Sequence, residues 1–338
     1  MKLAGVRLYI GLPGASHPTP PAVQRCNNDA HYWREAAAQL SAPASIQRPL
    51  PTLQPTSHAC RLDGLILNEK PLPLQGPQIG RIMRLLEYNN DREFSLATFF
   101  GDDIPRYAIL SHRWGAEEVT LADLTDGMGK SKAGYRKIRF CGEQARRDGL
   151  QYFWVDTCCI DKSNSTELAE AINSMFHWYQ DATKCYVYLS DVPRPPFDTD
   201  DKPNEPWEST FRKSKWFTRG WTLQELIAPA SLGFFSEEGE LLGDKVSLER
   251  QICEITGIPV KALRGSLLSD FSVTERMSWA ESRETTYRED KAYSLLGIFD
   301  VSMPLIYGEG KEKALKRLRE EIDKASKGKS FSFVTSTY

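Results

Sequence analysis

Trp221 and Glu225 have residue types and a spacing that can do chemistry. On a helix, residues four positions apart lie on one face, so the indole ring would stand beside the carboxyl group. An apolar wall disfavours ionisation of a carboxyl group and gives a ring-shaped ligand a flat surface. This pair would suit a carboxylate that acts on a bound ring compound, although the same spacing also occurs in an ordinary amphipathic helix.

Further polar residues follow two strand-like runs. Ser111, Arg113, Trp114 and Gly115 come at and after the end of the run YAIL, and Asp156 closes the run YFWV. An arginine beside a tryptophan offers a cation to a phosphate and a flat face to a base. A carboxylate at a strand end can accept a hydrogen bond from a ribose hydroxyl. Ion pairing and packing for Arg113 and Trp114, and loop bracing for Asp156, are the structural alternatives.

The remaining motifs do not indicate a metal site or a covalent nucleophile. Zinc sites need ligand pairs at short spacing in two clusters, and the chain has neither CxxC nor HxxxH. Cys158 and Cys159 are therefore predicted to be structural thiols packed under a loop. No GxSxG motif of a serine hydrolase is present. The sequence predicts no metal and no cofactor.

The elements that must position these residues alternate along the chain. Apolar and aromatic runs predict strands at 107–111, 152–156 and 185–190, and helical periodicity predicts helices at 135–147 and after Asn164. Strand, helix, strand, helix and strand in this order predict a parallel sheet with right-handed crossovers. The predicted fold class is α/β, an open, doubly wound sheet flanked by helices.

The sequence of the C-terminal half predicts further helices that cover that sheet. A Pro-rich surface insertion spans 193–206. Beyond it, the patterns predict one strand, 232–235, and helices at 221–228, 248–255, 273–281, 289–297 and 310–324.

Composition divides the chain and excludes several classes of protein. Residues 1–80 hold 11 of the 20 prolines, so 1–82 is predicted to be a largely irregular N-terminal extension, 83–325 a domain and 326–338 a flexible C-terminal tail. The 43 Lys and Arg against 45 Asp and Glu leave a net charge of -2, which argues against a nucleic-acid partner. No apolar run approaches the ~18 residues of a membrane span. Seven cysteines without regular spacing favour reduced thiols and a cytoplasmic location.

Six collinear runs of this sequence resemble the fungal heterokaryon-incompatibility (HET) domain. The runs are YAILSHRWG, DGLQYFWVDTCCID, EAINSMFHWYQDATKCYVYLSDV, WFTRGWTLQELIAP, MSWAESRETTYREDKAYSLLGIFDV and MPLIYGEG. The resemblance covers about residues 83–325. It implies a cytosolic effector of non-self recognition that triggers incompatibility and regulated cell death, and that associates with itself or with an incompatibility partner protein.

HET domains in turn look like distant relatives of TIR domains, which have a flavodoxin-like sheet and several of which cleave NAD. The phrase from Trp221 to Leu226 resembles the TIR phrase of Trp, three residues, Glu and Leu, whose glutamate is catalytic. Carried over, Glu225 becomes the catalytic carboxylate and NAD a substrate. Arg113 and backbone donors after Ser111 would hold the pyrophosphate, and Trp114 or Trp221 would stack on a ring.

An alternative function belongs to another class of protein. The same domain would be a non-enzymatic signalling module that acts through self-association or through partner domains.

Overall fold

A computed structural model describes residues 82–88, 93–101, 103–194 and 207–334, with side chains as far as residue 327. The strands are β1 (Ile82–Tyr88), β2 (Phe94–Phe100), β3 (Tyr107–His112), β4 (Tyr152–Trp154), β5 (Lys184–Tyr188), β6 (Leu232–Phe235) and β7 (Leu241–Asp244). The helices are α1 (Leu121–Thr125), α2 (Tyr135–Arg147), α3 (Asp156–Cys159), α4 (Ser165–Asp181), α5 (Trp207–Arg212), α6 (Thr222–Ile227), α7 (Glu249–Thr256), α8 (Val260–Leu263), α9 (Val273–Ser278), α10 (Asp290–Tyr293), α11 (Leu296–Phe299) and α12 (Lys311–Val334). Apart from Ile82, the predicted N-terminal extension lies outside the described residues, as does most of the 193–206 insertion.

The seven strands form one sheet in the order β2-β1-β4-β3-β5-β6-β7. The four inner strands β4, β3, β5 and β6 run parallel, as the alternation of strands and helices predicts. The sheet as a whole is mixed, however, because β1, β2 and β7 pair antiparallel at its edges. An all-parallel sheet was the expectation, and these three strands correct it. The connections β1–β2 and β6–β7 are only five residues long, too short for the crossover that parallel neighbours require.

The middle of the sheet is covered on both faces. All six residues of β3 are buried, which explains why its first four residues form a continuous apolar run. Phe153 and Trp154 are neighbours in β4 and point to opposite faces. Phe153 packs against α2 at Gly142, and Trp154 packs against the ring of Tyr179 in α4. Helices α2 and α4 therefore sandwich the parallel strands.

The two crossover helices follow their predicted bounds closely. Helix α2 spans the predicted 135–147 and is followed by Gly149 at φ +72°, a conformation that favours glycine. Helix α4 begins after Asn164, whose side-chain oxygen accepts hydrogen bonds from the backbone N–H groups of Thr166 and Glu167. These contacts explain where the second helix starts.

Glu167 stands three residues after the N-cap Asn164, the position of the acid in a capping box, but its side chain has other partners. Its carboxylate pairs with Arg84 of β1 and accepts a hydrogen bond from the backbone N–H of Asp161 at 2.7 Å. A guanidinium makes a stronger hydrogen bond to a half-buried carboxylate than a backbone N–H group does. The pairing with Arg84 therefore makes the Glu167 side chain join α4 to the sheet.

The C-terminal half is largely helical, as predicted, but its helices pack mainly on other helices, α10 on α12 and α11 on α4, and their bounds differ. The single helix expected at 289–297 is two short helices, α10 and α11, and α12 continues to Val334 rather than ending near 324. Within the described ranges, no helix has both the length and the apolar composition that crossing a bilayer requires.

Candidate functional site

The candidate site lies at the carboxyl edge of the parallel strands. In the sheet, β4 lies on one side of β3 and β5 lies on the other. The chain therefore reverses its direction of travel across the sheet at β3. In doubly wound sheets, ligands bind in the crevice beyond such a switch point. Ser111 and His112 end β3, and Asp156 follows β4, so all three reach this edge.

Glu225 sits in helix α6 and is buried, with only 7% of its surface exposed. Ser111 Oγ donates a hydrogen bond to Glu225 Oε2 over 2.5 Å, and Trp216 Nε1 donates to the same Ser111 oxygen at 2.9 Å. Burial raises the pKa of the Glu225 carboxyl to about 8, and the negative charge of Asp156 acts in the same direction. In this closed form the carboxyl group is therefore mostly protonated at neutral pH.

Asp156 has the opposite ionisation behaviour in the same crevice. Burial opposes its ionisation, but the hydrogen bond and charge of His112, the charge of Lys162 and the hydrogen bond of Trp114 lower its pKa to about 2. The distances are 2.9 Å from His112 Nε2 to Asp156 Oδ1 and 2.7 Å from Trp114 Nε1 to Asp156 Oδ2. Asp156 is thus a fixed negative charge.

His112 is held from both sides of its ring. Lys137 Nζ lies 3.2 Å from His112 Nδ1 and also contacts Glu118 and the carbonyl of Arg113. The Asp156 carboxylate can only accept, so Nε2 of the ring carries the hydrogen that faces it. Lys137 and Asp156 therefore hold the His112 ring at its two nitrogens.

The ring of Trp221 is fixed by a second buried acid. Trp221 directly precedes α6, and its Nε1 donates to Asp290 Oδ2 at 3.0 Å. The hydroxyl of Tyr307 donates to Asp290 Oδ1 at the same distance. Burial raises the pKa of Asp290 to about 7. Asp290 of α10, 69 residues further along the chain, thus orients the Trp221 ring.

A buried arginine clamps the turn that leads into α6. Arg283 is 1% exposed, and its Nη1 donates to the carbonyl of Arg219 and to Thr222 Oγ1, both at 2.9 Å. Between these two partners, a side chain at Gly220 would meet Thr285 Cγ2 at 2.3 Å. The turn therefore packs so tightly on the segment after α9 that a side chain at position 220 would force Thr285 to shift.

These side chains enclose a small cavity. Its walls are His112, Trp114, Asp156, Ile172, Met175, Tyr179, Arg219, Trp221, Thr222 and Glu225. The volume is about 30 Å³, enough for a water molecule, whereas ligand sites typically measure about 300–1,000 Å³. In this form the crevice is closed, and a nucleotide would enter only if its walls moved apart.

The structure brings together five of the seven candidate site residues singled out from the sequence and separates two. Glu225, Trp221, Trp114 and Asp156 line one cavity, with Ser111 directly behind Glu225.

Arg113 and Gly115 are not among the residues that line the cavity. The backbone carbonyl of Arg113 accepts from Lys137, and the backbone N–H of Gly115 donates to Glu118. Arg219 supplies the arginine of the cavity wall instead. Sequence reasoning missed Arg219 and His112, although both stand inside runs singled out for other residues.

The cysteines next to the site suit a structural role. Cys158 and Cys159 are buried and free, and burial raises the pKa of the Cys158 thiol. No cluster of three His, Cys, Asp or Glu residues that could hold a metal ion occurs in the described part of the chain.

Comparisons with known proteins identify relatives of this chain. The family model described as heterokaryon incompatibility protein (HET) matches residues 107–194. The vegetative incompatibility protein HET-E-1 of Podospora anserina is 63% identical over 245 residues, which are 72% of this chain and 18% of that relative. The chain thus spans less than a fifth of this relative's length. No solved structure matches it significantly.

Proposed function

Because the chain belongs to the heterokaryon-incompatibility (HET) family, we propose that it is an effector of fungal vegetative incompatibility. The relative named for that process is 63% identical over most of this chain's length. In this role the protein acts in the cytoplasm, associates with itself or with an incompatibility partner, and triggers regulated cell death.

The proposed chemistry is hydrolysis of NAD at the bond between nicotinamide and ribose. One observation carries it: a buried carboxyl group, Glu225, faces a crevice at the switch point of a parallel sheet, together with Trp114, Trp221 and Asp156. The parallel strands have the order second, first, third and fourth, as in flavodoxin-like sheets. This order supports the TIR-like reading of the domain.

Each group of the crevice has a part in this reaction. The bond from ribose C1′ to the nicotinamide nitrogen breaks, and its electron pair leaves with nicotinamide, which becomes neutral. The ribose becomes an oxocarbenium ion, which the ionised carboxylate of Glu225 stabilises. Water then adds to C1′ and gives its proton to Glu225. Asp156 accepts a hydrogen bond from a ribose hydroxyl, and an indole ring stacks on a base.

Substrate binding also changes the ionisation of Glu225. The nicotinamide ring of NAD carries a positive charge, which favours the ionised form of a nearby carboxyl group. The charge of Arg219 in the cavity wall acts in the same direction. The bound substrate therefore lowers the pKa of Glu225 from about 8 toward neutrality.

The closed crevice supports the alternative function as well. A cavity of about 30 Å³ does not admit a dinucleotide, so hydrolysis requires an open form. In the alternative, the crevice stays closed and the domain signals through contacts with other proteins.

The test is release of nicotinamide by the purified chain incubated with NAD, with a crowding agent to promote association. We expect Glu225→Gln to abolish release, because an amide cannot ionise, and to leave the fold intact, because Ser111 can still donate to the amide oxygen. Glu281→Gln, at an exposed position, is the matched control and should retain full activity. A well-folded Glu225→Gln protein with wild-type activity would eliminate the mechanism.

Expression in a fungal host separates the two functions. Hydrolysis predicts that wild-type protein kills cells and depletes their NAD, and that Glu225→Gln does neither. Killing by Glu225→Gln with NAD levels unchanged would favour the non-enzymatic module.

A further inference from the structure

Arg283 carries a buried positive charge that has no part in the reaction proposed above. It lies in the segment between α9 and α10 and is 1% exposed, so its guanidinium is removed from solvent. Burial lowers its pKa to about 10, and the side chain therefore keeps its charge at neutral pH. A charge at this depth is destabilising unless an opposite charge compensates for it.

The hydrogen-bond partners of this guanidinium are all neutral. Its Nε donates to the carbonyl of Trp279 at 3.3 Å, and its Nη1 donates to the carbonyl of Arg219 and to the hydroxyl of Thr222. Its Nη2 is buried and has no hydrogen-bond partner within the described ranges. In the part of the chain that the structure describes, Arg283 is therefore a fixed cation without a carboxylate bonded to it.

The contact with Thr222 anchors this cation close to Glu225. Thr222 and Glu225 are three positions apart in α6, a spacing that puts both side chains on one face of the helix, and both line the same crevice. Nη1 of Arg283 reaches Thr222 Oγ1 at 2.9 Å. The guanidinium is thus held one helical turn before Glu225. It lies behind the wall of the crevice, because Arg283 is not among the residues that line it.

The other titratable groups around Glu225 define what Arg283 adds. Burial and the charge of Asp156 oppose ionisation of Glu225, whereas the charges of Arg219 and Arg283 favour it. Arg219 is partly exposed, so solvent screens its charge more than it screens the buried charge of Arg283. Two further groups that interact with Glu225 stay neutral, because burial raises their pKa values: Tyr179 and Cys185.

We propose that Arg283 is the buried countercharge of Glu225, held beside α6 so that it stabilises the carboxylate when Glu225 ionises. The cation is in place before the anion forms, and such preorganisation favours the development of charge in a site that excludes water. Arg283 is therefore a positioning residue, and its catalytic consequence rests on the NAD hydrolysis proposed above. The coupling between the two side chains needs no substrate and can be measured by itself.

The first measurement is the pKa of Glu225 in two variants of Arg283. Arg283→Met keeps a long side chain but removes the charge, and it should raise the pKa of Glu225 by about one unit above the wild-type value of about 8. Arg283→Lys keeps a cation and should leave this pKa close to the wild-type value. Carbon-13 NMR of glutamate-labelled protein measures both, with Glu225→Gln to assign the signal.

Arg276→Met is the matched control. Arg276 of α9 also donates to a backbone carbonyl, that of Ile298, and burial lowers its pKa as well. It is not among the residues that line the crevice. Its replacement should leave the pKa of Glu225 unchanged, which separates the loss of the Arg283 charge from the loss of any half-buried arginine.

A second measurement does not require Arg283→Met to fold. In arginine-labelled wild-type protein, the nitrogen-15 signal of Arg283 Nε should shift with pH as Glu225 titrates, with a midpoint of about 8. The shift should disappear in Glu225→Gln, because the amide does not ionise. Arg283→Lys assigns the signal.

The pH dependence of nicotinamide release measures the catalytic consequence. Because hydrolysis needs ionised Glu225, Arg283→Met should move the rising limb of the kcat profile to higher pH by the same unit and lower kcat about tenfold at pH 7. Arg283→Lys should restore the wild-type profile. A merely structural role would lower kcat at every pH without moving the limb.

The countercharge role is wrong if Arg283→Met leaves the pKa of Glu225 unchanged or if Arg276→Met raises it as much. It is also wrong if the Arg283 signal titrates equally in Glu225→Gln. An active Arg283→Met protein with an unmoved pH profile would overturn the catalytic consequence. Wild-type protein that releases no nicotinamide, while the pKa of Glu225 responds as expected, would instead refute NAD hydrolysis and leave the pairing intact.

Discussion

Ser111 and Glu225 are 114 residues apart in the chain, yet the hydroxyl of one donates to the carboxyl of the other over 2.5 Å. Ser111 is the next-to-last residue of the central strand β3, and Glu225 lies in the first turn of α6. The indole of Trp216 donates to the same hydroxyl, so its single hydrogen is directed to Glu225. This bond joins the sheet to the helix that carries the candidate catalytic group.

The stability of the protein should depend on pH through Glu225. The carboxyl group has an ordinary pKa of 4.5 when unfolded and about 8 when folded, so between these values the folded state holds the extra proton. Stability is then lost as pH rises through that window, by at most about 1.4 kcal/mol per pH unit.

The Glu225→Gln variant has no titratable group at this position. Comparison with it therefore isolates the contribution of Glu225 to the pH dependence of stability. Urea unfolding at several pH values should show the free energy of unfolding of the wild type falling relative to Glu225→Gln from about pH 5 to pH 8. A constant difference across this range would mean that Glu225 keeps an ordinary pKa.

Ser111→Ala should raise the pKa of Glu225 further, because the hydroxyl favours the ionised carboxylate. It should also cost about 1–3 kcal/mol, since Trp216 loses its buried acceptor. Carbon-13 NMR of glutamate-labelled protein measures the pKa, with Glu225→Gln to assign the signal. An unchanged or lower pKa would show that the hydrogen bond does not stabilise the charge.

Gly297→Ala should be strongly destabilising. A Cβ at Gly297 would lie 2.0 Å from Phe176 Cβ, and no rotation of the phenyl ring relieves a contact at the first side-chain carbon. We expect a loss of about 3 kcal/mol in chemical unfolding. Gly115→Ala is the control, because its Cβ would meet no atom closer than 3.6 Å. Equal stabilities for the two variants would contradict the packing of α11 on α4.

Asn164→Ala should lower the free energy of unfolding by about 1 kcal/mol, because two backbone N–H groups of α4 lose their acceptor. Asn164→Asp keeps an accepting oxygen and should be nearly neutral. Thermal unfolding of the three proteins measures both effects. If the aspartate variant loses as much stability as the alanine variant, the capping role is wrong.

The sequence by itself determined the elements whose signals are local. Helix α2 and strand β6 have the predicted bounds, because side-chain periodicity and a stop residue such as Gly149 act within a few positions. The family was also readable, since its six motifs are continuous runs of sequence. The hairpin of β1 and β2 was missed because Arg84 interrupts the buried positions of β1 and β2 is only half-buried.

Only the tertiary structure decided which side chains meet. The contacts of Ser111 with Glu225, His112 with Asp156 and Trp221 with Asp290 join residues that no periodicity relates, because the order of the strands and the placement of the helices set them. The same holds for the closed crevice beside Glu225. A cavity is the space left when distant elements pack together, so its volume is a property of the packing and not of any one segment.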